Sequence, residues 1–256
     1  MNMTLYHGEP NGPSLTVLAP LFETGAEADL VAIDLAAGER HSGPAFGREA
    51  EMSIEGEGPV LVVEGEAMAD SVFLAQYLDE ESGGSLQPAD PYARWEMEMW
   101  CRFVIERVAP AGAFLGNREH LTPRLRAMDD ADFEMLVGRI GSADLAERWR
   151  AVREGHYPEA QLEDSRAKIR LAVERLEKRI EGDWILGPFT IADLETYAWL
   201  AGMVDLVPAA FENAPKTRAW LDRMKARDSV SRALTLSRSG DPRTAWAPGP
   251  EINRWG

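Results

Sequence analysis

In the stretch "EPNGPSL" a serine, Ser14, follows a Gly/Pro-rich loop and opens a helical pattern, where redox folds usually carry a cysteine. A hydroxyl there can cap the helix, worth about 1 kcal/mol. It can also donate to a thiolate and lower a thiol pKa from about 8.5 toward neutrality. The single cysteine, Cys101, excludes an internal disulfide framework, a CxxC redox pair and a cysteine-based zinc site. Thiol chemistry at Ser14 therefore needs a sulfur brought by another molecule. Asp70 and Ser71 stand at the head of a second helical run, where an acid and a hydroxyl make a good cap. His120 and His156 have no paired ligand three or four residues on, so no metal site is expected.

Charge narrows the possible partners. Of 256 residues, the first 90 hold 17 Asp and Glu against two Arg, Arg40 and Arg48, a net of −15; the remainder holds 26 acids and 25 bases, a net of −1. Such a surface repels phosphate backbones and anionic lipid, so nucleic-acid and membrane roles are not expected. The start of the chain lacks the basic segment and small-residue cleavage site of a signal peptide, and no apolar run nears bilayer-spanning length, so the expected location is the cytoplasm.

The elements that must position these residues fall into two units. Met3 to Tyr6 reads as a strand, Leu15, Leu18, Leu21 and Phe22 as the apolar face of a helix, and "ADLVAIDL" as a second strand. "GPVLVVEGEAMADS" reads as a hairpin and "SVFLAQYLDEE" as a helix. The order βαβ then ββα is that of a thioredoxin-like domain, expected over residues 1–84. "GSLQPADP" breaks both periodicities, so a linker is expected over 85–91. Residues 92–256 read as an all-helical bundle with an irregular Pro/Gly-rich tail, giving an α/β plus all-α fold class. In that bundle Trp95, Met99 and Phe103 share one face, and Trp95, Trp100, Phe103 and Trp149 are expected in the core. Cys101 is expected as a small buried hydrophobe. Thr190 and Asp193 have the spacing of a capping box at the head of an apolar helix.

A thioredoxin-like start, "GPV" before a hairpin, an acid–serine pair heading the next helix and a "TIAD" cap resemble the cytosolic glutathione S-transferases over the whole chain. "HSGPAF", "SLQPADPYARWEMEMW", "AERWRAVREGHYPEAQLEDSRAKI" and "VERLEK" are similar to the bacterial β-aryl etherase branch, which cleaves lignin-derived ethers with glutathione.

The resemblance implies that Pro59 is a cis proline and that the backbone of Val60 pairs with the cysteinyl part of glutathione like an added strand. It implies that Asp70 and Ser71 bind the γ-glutamyl end, and that Ser14 holds the glutathione sulfur as thiolate. Arg40 and His41 are the candidates for the glycyl carboxylate, with solvated surface as their other reading. Glutathione is then a consumed cosubstrate, an aromatic ether ketone the substrate, and thiolate displacement of a phenolate the reaction. The family implies a dimer, of two copies or with a related chain. Two departures weaken the implied site: Pro13 gives no side-chain donor and no N–H, and Glu55 and Glu57 stand near the proline. They imply weaker glutathione binding than in typical relatives, or none. Two other readings follow, a non-catalytic subunit paired with a related active chain and a glutathione transferase acting on another electrophile.

Overall fold

The computed structural model describes residues 2–41 and 58–242. Strand β1 (Met3–His7) buries Met3, Leu5 and His7 on alternate positions, helix α1 (Gly12–Thr24) crosses over, and β2 (Asp29–Ala32) pairs parallel to β1. β3 (Val60–Val63) lies antiparallel to β1 on its other side, with Leu5 opposite Leu61, and β4 (Glu66–Ala69) closes the hairpin. The sheet order is β2-β1-β3-β4, and α2 (Ser71–Glu81) follows it. β2 is shorter than the sequence pattern suggests, because Asp34 accepts from Ala37 N at 3.0 Å and turns Leu35–Ala37 into a 3-10 segment.

The connection to the helical part is pinned by one side chain. Asp79, 1% exposed, accepts from the backbone N–H groups of Ser85, Leu86 and Gln87 at 2.7, 2.8 and 3.1 Å. Three turn amides are thus paired by the helix before them.

Helices α3 (Pro91–Phe103), α4 (Ala109–Gly116) and α5 (Thr122–Arg126) form one rod, joined by π-turns at Val104–Val108 and Asn117–Leu121. Each π-turn precedes a proline, Pro110 or Pro123, which has no N–H for the usual bond and crowds the carbonyl four residues back; widening the turn relieves both. Then come α6 (Asp130–Val137), α7 (Ala143–Glu154), the long α8 (Glu159–Arg179), α9 (Ile191–Leu200), α10 (Met203–Leu206), α11 (Pro215–Ala226) and α12 (Asp228–Leu234). Every residue of α9 is buried, and α1 packs on α2, α9 and α12, so one core runs from the sheet into the bundle. No helix among the described residues is long and apolar enough to cross a membrane.

One expectation is corrected. Trp95 is 52% exposed and does not belong to the core, and Met99 on the same face is 43% exposed. The α3 face turned inward carries Met97 and Cys101 instead, because a helix of this amphipathicity fits either stripe locally and the packing of α9 selects between them. Trp149 is fully buried, Cys101 is 1% exposed, and Trp100 donates to Thr196 Oγ1 at 2.8 Å.

Candidate active site

Asn11, with extended backbone, is the N-cap of α1, and Pro13 occupies its first turn, where the missing N–H costs nothing. Ser14 is therefore inside the helix and caps nothing. Its Oγ accepts from the backbone N–H of Gly8 at 2.9 Å, and the residue is 2% exposed. A hydroxyl that accepts from a backbone amide keeps its own proton to donate. Ser14 lines a cavity of about 290 Å3, so a donor is presented to a small cleft.

The cavity is built from both parts of the chain. The loop after β1 gives Glu9 and Asn11 and the first turn of α1 gives Pro13; the segment after β2 gives Ile33 and Asp34; Gly58 comes from the turn before β3. From the helical part come Arg124 of α5 and Arg238 and Ser239 of the tail. The tail is strapped down by Glu9, which accepts from Ser237 Oγ at 2.7 Å, Ser239 Oγ at 3.1 Å and Arg238 N at 3.2 Å. Asn11 adds a bond to Pro242 O at 2.8 Å. Arg124 donates to Asp34 across the cavity. Among the described residues, the cations that line the cavity thus come from the nearly neutral two-thirds of the sequence, and balance the acids Glu9 and Asp34. Charge counted along the chain could not show this, because it does not know which helix end faces the loop.

The remaining sequence candidates separate. The Gly58–Pro59 peptide is cis. Val60, however, is fully buried and paired with Tyr6 on one side and Ala69 on the other, so its backbone belongs to the sheet ladder and is not open to an added strand. Gly58, one residue before the proline, lines the cavity in its place. Arg40 is 1% exposed, which excludes the solvated reading; a Cβ built on Gly58 would stand 3.6 Å from its Nη1, so the guanidinium lies behind this turn. His41 ends the short 3-10 segment Glu39–His41. Its side chain lies outside the described residues, as do Arg48, Glu55 and Glu57. Asp70 is the N-cap of α2, accepting from Val72 N at 3.1 Å and Phe73 N at 3.3 Å, with φ of +79°, a backbone region costly for any residue with a Cβ. Ser71 is the first residue of that helix.

Two titratable groups were not singled out by sequence. His7 is 3% exposed; burial lowers its pKa, and its Nδ1 donates to Gly8 O at 2.7 Å. Glu195 on α9 is fully buried; burial pushes its carboxyl up to about 7, against hydrogen bonds from Thr16 and Trp199, while the charge of Asp70 adds to the rise. The available signal was one acid inside the otherwise apolar "IADLETYAWL". A second cavity, about 560 Å3, shares Asn11 with the first and carries Leu15, Tyr197, Ala198, Val204 and Leu221 on its walls.

Comparisons with known proteins agree on the fold. The family model "Glutathione S-transferase, C-terminal domain" matches residues 131–228. The chain is 29% identical to protein LigF of Sphingobium sp. over 254 residues, 94% of this chain and 96% of that protein. It is 25% identical to glutathione transferase GST 23 of Zea mays over 186 residues, 69% of this chain and 66% of that one. The crystal structure of the beta-etherase LigF superposes with a TM-score of 0.83, covering 93% of this chain and all of that one. A glutathione transferase family member of Pseudomonas fluorescens, solved with two glutathione bound, is similar in fold at 21% identity, with a TM-score of 0.67 over 91% of this chain and 92% of that one.

Proposed function

Because this chain has the glutathione S-transferase fold and carries that family's C-terminal domain, we propose that it uses glutathione to cleave β-aryl ether bonds of aromatic ketones. The observation that carries the reading is Ser14: a buried hydroxyl fixed by Gly8 N, its proton available to a cavity bounded by the turn at Gly58. The likeness to the beta-etherase LigF over nearly the whole chain supports the substrate class.

In this reading glutathione lies along the cavity with its sulfur at Ser14. Its γ-glutamyl end meets the N-terminus of α2 at Asp70 and Ser71, where the helix dipole favours the carboxylate and the Asp70 side chain can accept from the ammonium. Its glycyl end points toward Gly58, Arg40 and His41. The Ser14 hydroxyl donates to the thiolate and raises its population at neutral pH. The thiolate attacks the carbon bearing the aryl ether, a carbon–sulfur bond forms, the carbon–oxygen bond breaks, and a phenolate leaves with the electron pair. With a leaving group of pKa about 10 no strong general acid is required. The apolar second cavity beside Asn11 suits an aromatic ring.

Calorimetric titration of glutathione into the purified chain, followed by an assay of phenol release from a β-aryl ether ketone, tests the reading. Saturable binding and release are expected, and no heat at millimolar glutathione would overturn it. That failure would favour a non-catalytic subunit that works beside a related active chain. Pro13 in the cavity wall, which brings no side-chain donor and no N–H beside Ser14, favours this second reading.

A dimer belongs to either reading. Phe73 on α2 and Tyr92, Trp95 and Met99 on α3 are 67%, 66%, 52% and 43% exposed, apolar surface of the kind a partner covers. Native mass spectrometry at micromolar chain is expected to give the mass of two chains; a monomer that dimerises only on adding a related chain would identify the heterodimer.

A further inference from the structure

Ser14 is held from two directions. In front, Gly8 N–H fixes its oxygen. Behind, α1 meets α9 at two points that flank the serine by two residues on each side. At Gly12, with φ of +47°, an added Cβ would stand 3.2 Å from Cη2 of Trp199, so the backbone lies directly on the indole. At Thr16, Oγ1 donates to Glu195 Oε2 at 2.6 Å. The two points share one group, because Glu195 Oε1 accepts from Trp199 Nε1 at 3.0 Å.

A buried carboxylate is an expensive way to join two neutral donors. No cation among the described residues pairs with it, and the ionisable groups whose fields reach it or that it reaches are acidic: Asp70 before α2 and Cys101 on α3. An amide has one accepting atom at its head and a hydroxyl one oxygen, whereas the carboxyl group of Glu195 has two oxygens, one facing each donor. Each donor is then assigned to one oxygen, which fixes both the indole plane under Gly12 and the rotation of α1 at Thr16.

We propose that Glu195 is a positioning residue for Ser14: by tying Thr16 and Trp199 to one carboxylate it locks the turn of α1 that aims the serine hydroxyl into the cavity. The inference rests on the reading of Ser14 as the group that faces the glutathione sulfur. It assigns Glu195 no contact with glutathione or substrate, and its effect runs through the serine alone.

The test reads the ionisation of glutathione bound to the full chain, followed as thiolate absorbance against pH, for wild type, Glu195→Gln, Thr16→Val, Ser14→Ala and the double variant Ser14→Ala/Glu195→Gln. In Glu195→Gln the amide nitrogen cannot accept, so one of the two donors loses its partner. The expected result is a three- to tenfold smaller thiolate fraction at neutral pH in Glu195→Gln and Thr16→Val, with the glutathione dissociation constant within twofold of wild type. Ser14→Ala should give a larger loss, and the double variant no more than Ser14→Ala alone. A folded Glu195→Gln with the wild-type ionisation curve, or a double variant whose loss is the product of the two singles, overturns the proposal. Should Glu195→Gln fail to fold, Thr16 decides: Thr16→Val lowering the thiolate fraction and Thr16→Ser, which keeps the donor, restoring it supports the tether, and two curves like wild type reject it. Wild type that binds no glutathione removes the Ser14 reading and this inference together. Wild type that binds it as thiolate, with unaltered variants, removes only the inference.

Discussion

Replacing Ser14 by Ala is expected to slow β-aryl ether cleavage ten- to a hundredfold. A hydrogen bond to an ionised group contributes on the order of 1.5 to 3 kcal/mol, and each 1.36 kcal/mol is a factor of ten in rate. The loss should appear at the step that consumes thiolate, so single-turnover rates measured against pH are the informative assay. At high pH, where glutathione ionises without help, the variant should approach wild type. Ser14→Ala also strips Gly8 N–H of its acceptor in a buried setting, costing on the order of 1 to 3 kcal/mol of stability. Unfolding should therefore be measured in parallel. A rate unchanged at neutral pH would remove this serine from the mechanism.

The second large effect lies away from the cavity. Asp193, fully buried on the first turn of α9, accepts from Trp220 Nε1 at 2.9 Å and from the backbone N–H groups of Ile185 and Thr190 at 3.1 Å each. It closes a capping box with Thr190 and at the same time ties α9 to α11 and to the turn after α8. Burial raises its pKa to about 6, while the bonds from Trp220, Ile185 and Thr190 pull it down. Asp193→Ala orphans three buried N–H donors at once, and a loss of roughly 3 to 5 kcal/mol is expected. Urea unfolding followed by tryptophan fluorescence reads it directly, since one donor is the Trp220 indole. A loss below about 1 kcal/mol would mean that other groups or water satisfy those donors. Because α9 also carries Glu195 and Trp199 against α1, a destabilised α9 should loosen Ser14 as well; activity in Asp193→Ala should fall more steeply with temperature than its unfolding alone explains.

The thioredoxin-like order and the helical bundle are legible in the sequence because they rest on local regularities. The alternation in β1, the capping box Thr190/Asp193, the proline before β3 and the acid–serine pair at 70 and 71 each encode their element within a few residues. Local periodicity fails where two solutions are equally regular. On α3, Trp95 and Met99 make as good an apolar stripe as Met97 and Cys101, and only the arrival of α9 turns the second stripe inward. Val60 illustrates the same limit in a strand: its hydrophobic run marks it as sheet, but not that strands on both sides take up its backbone while Gly58 meets the cavity.

What the sequence by itself determined is therefore the chemical type of the candidate site: a hydroxyl where a thiol would stand, a single cysteine with no second one to pair with, and a strongly acidic first unit. Only the tertiary structure decided its electrostatics and its rigidity. Arg124 and Arg238 reach the cavity from residues more than a hundred positions beyond Ser14, and Glu195 reaches the serine's helix from α9. The physical reason is that hydrogen bonds and Coulomb fields act over a few ångströms of space, whereas the sequence records distance along the chain.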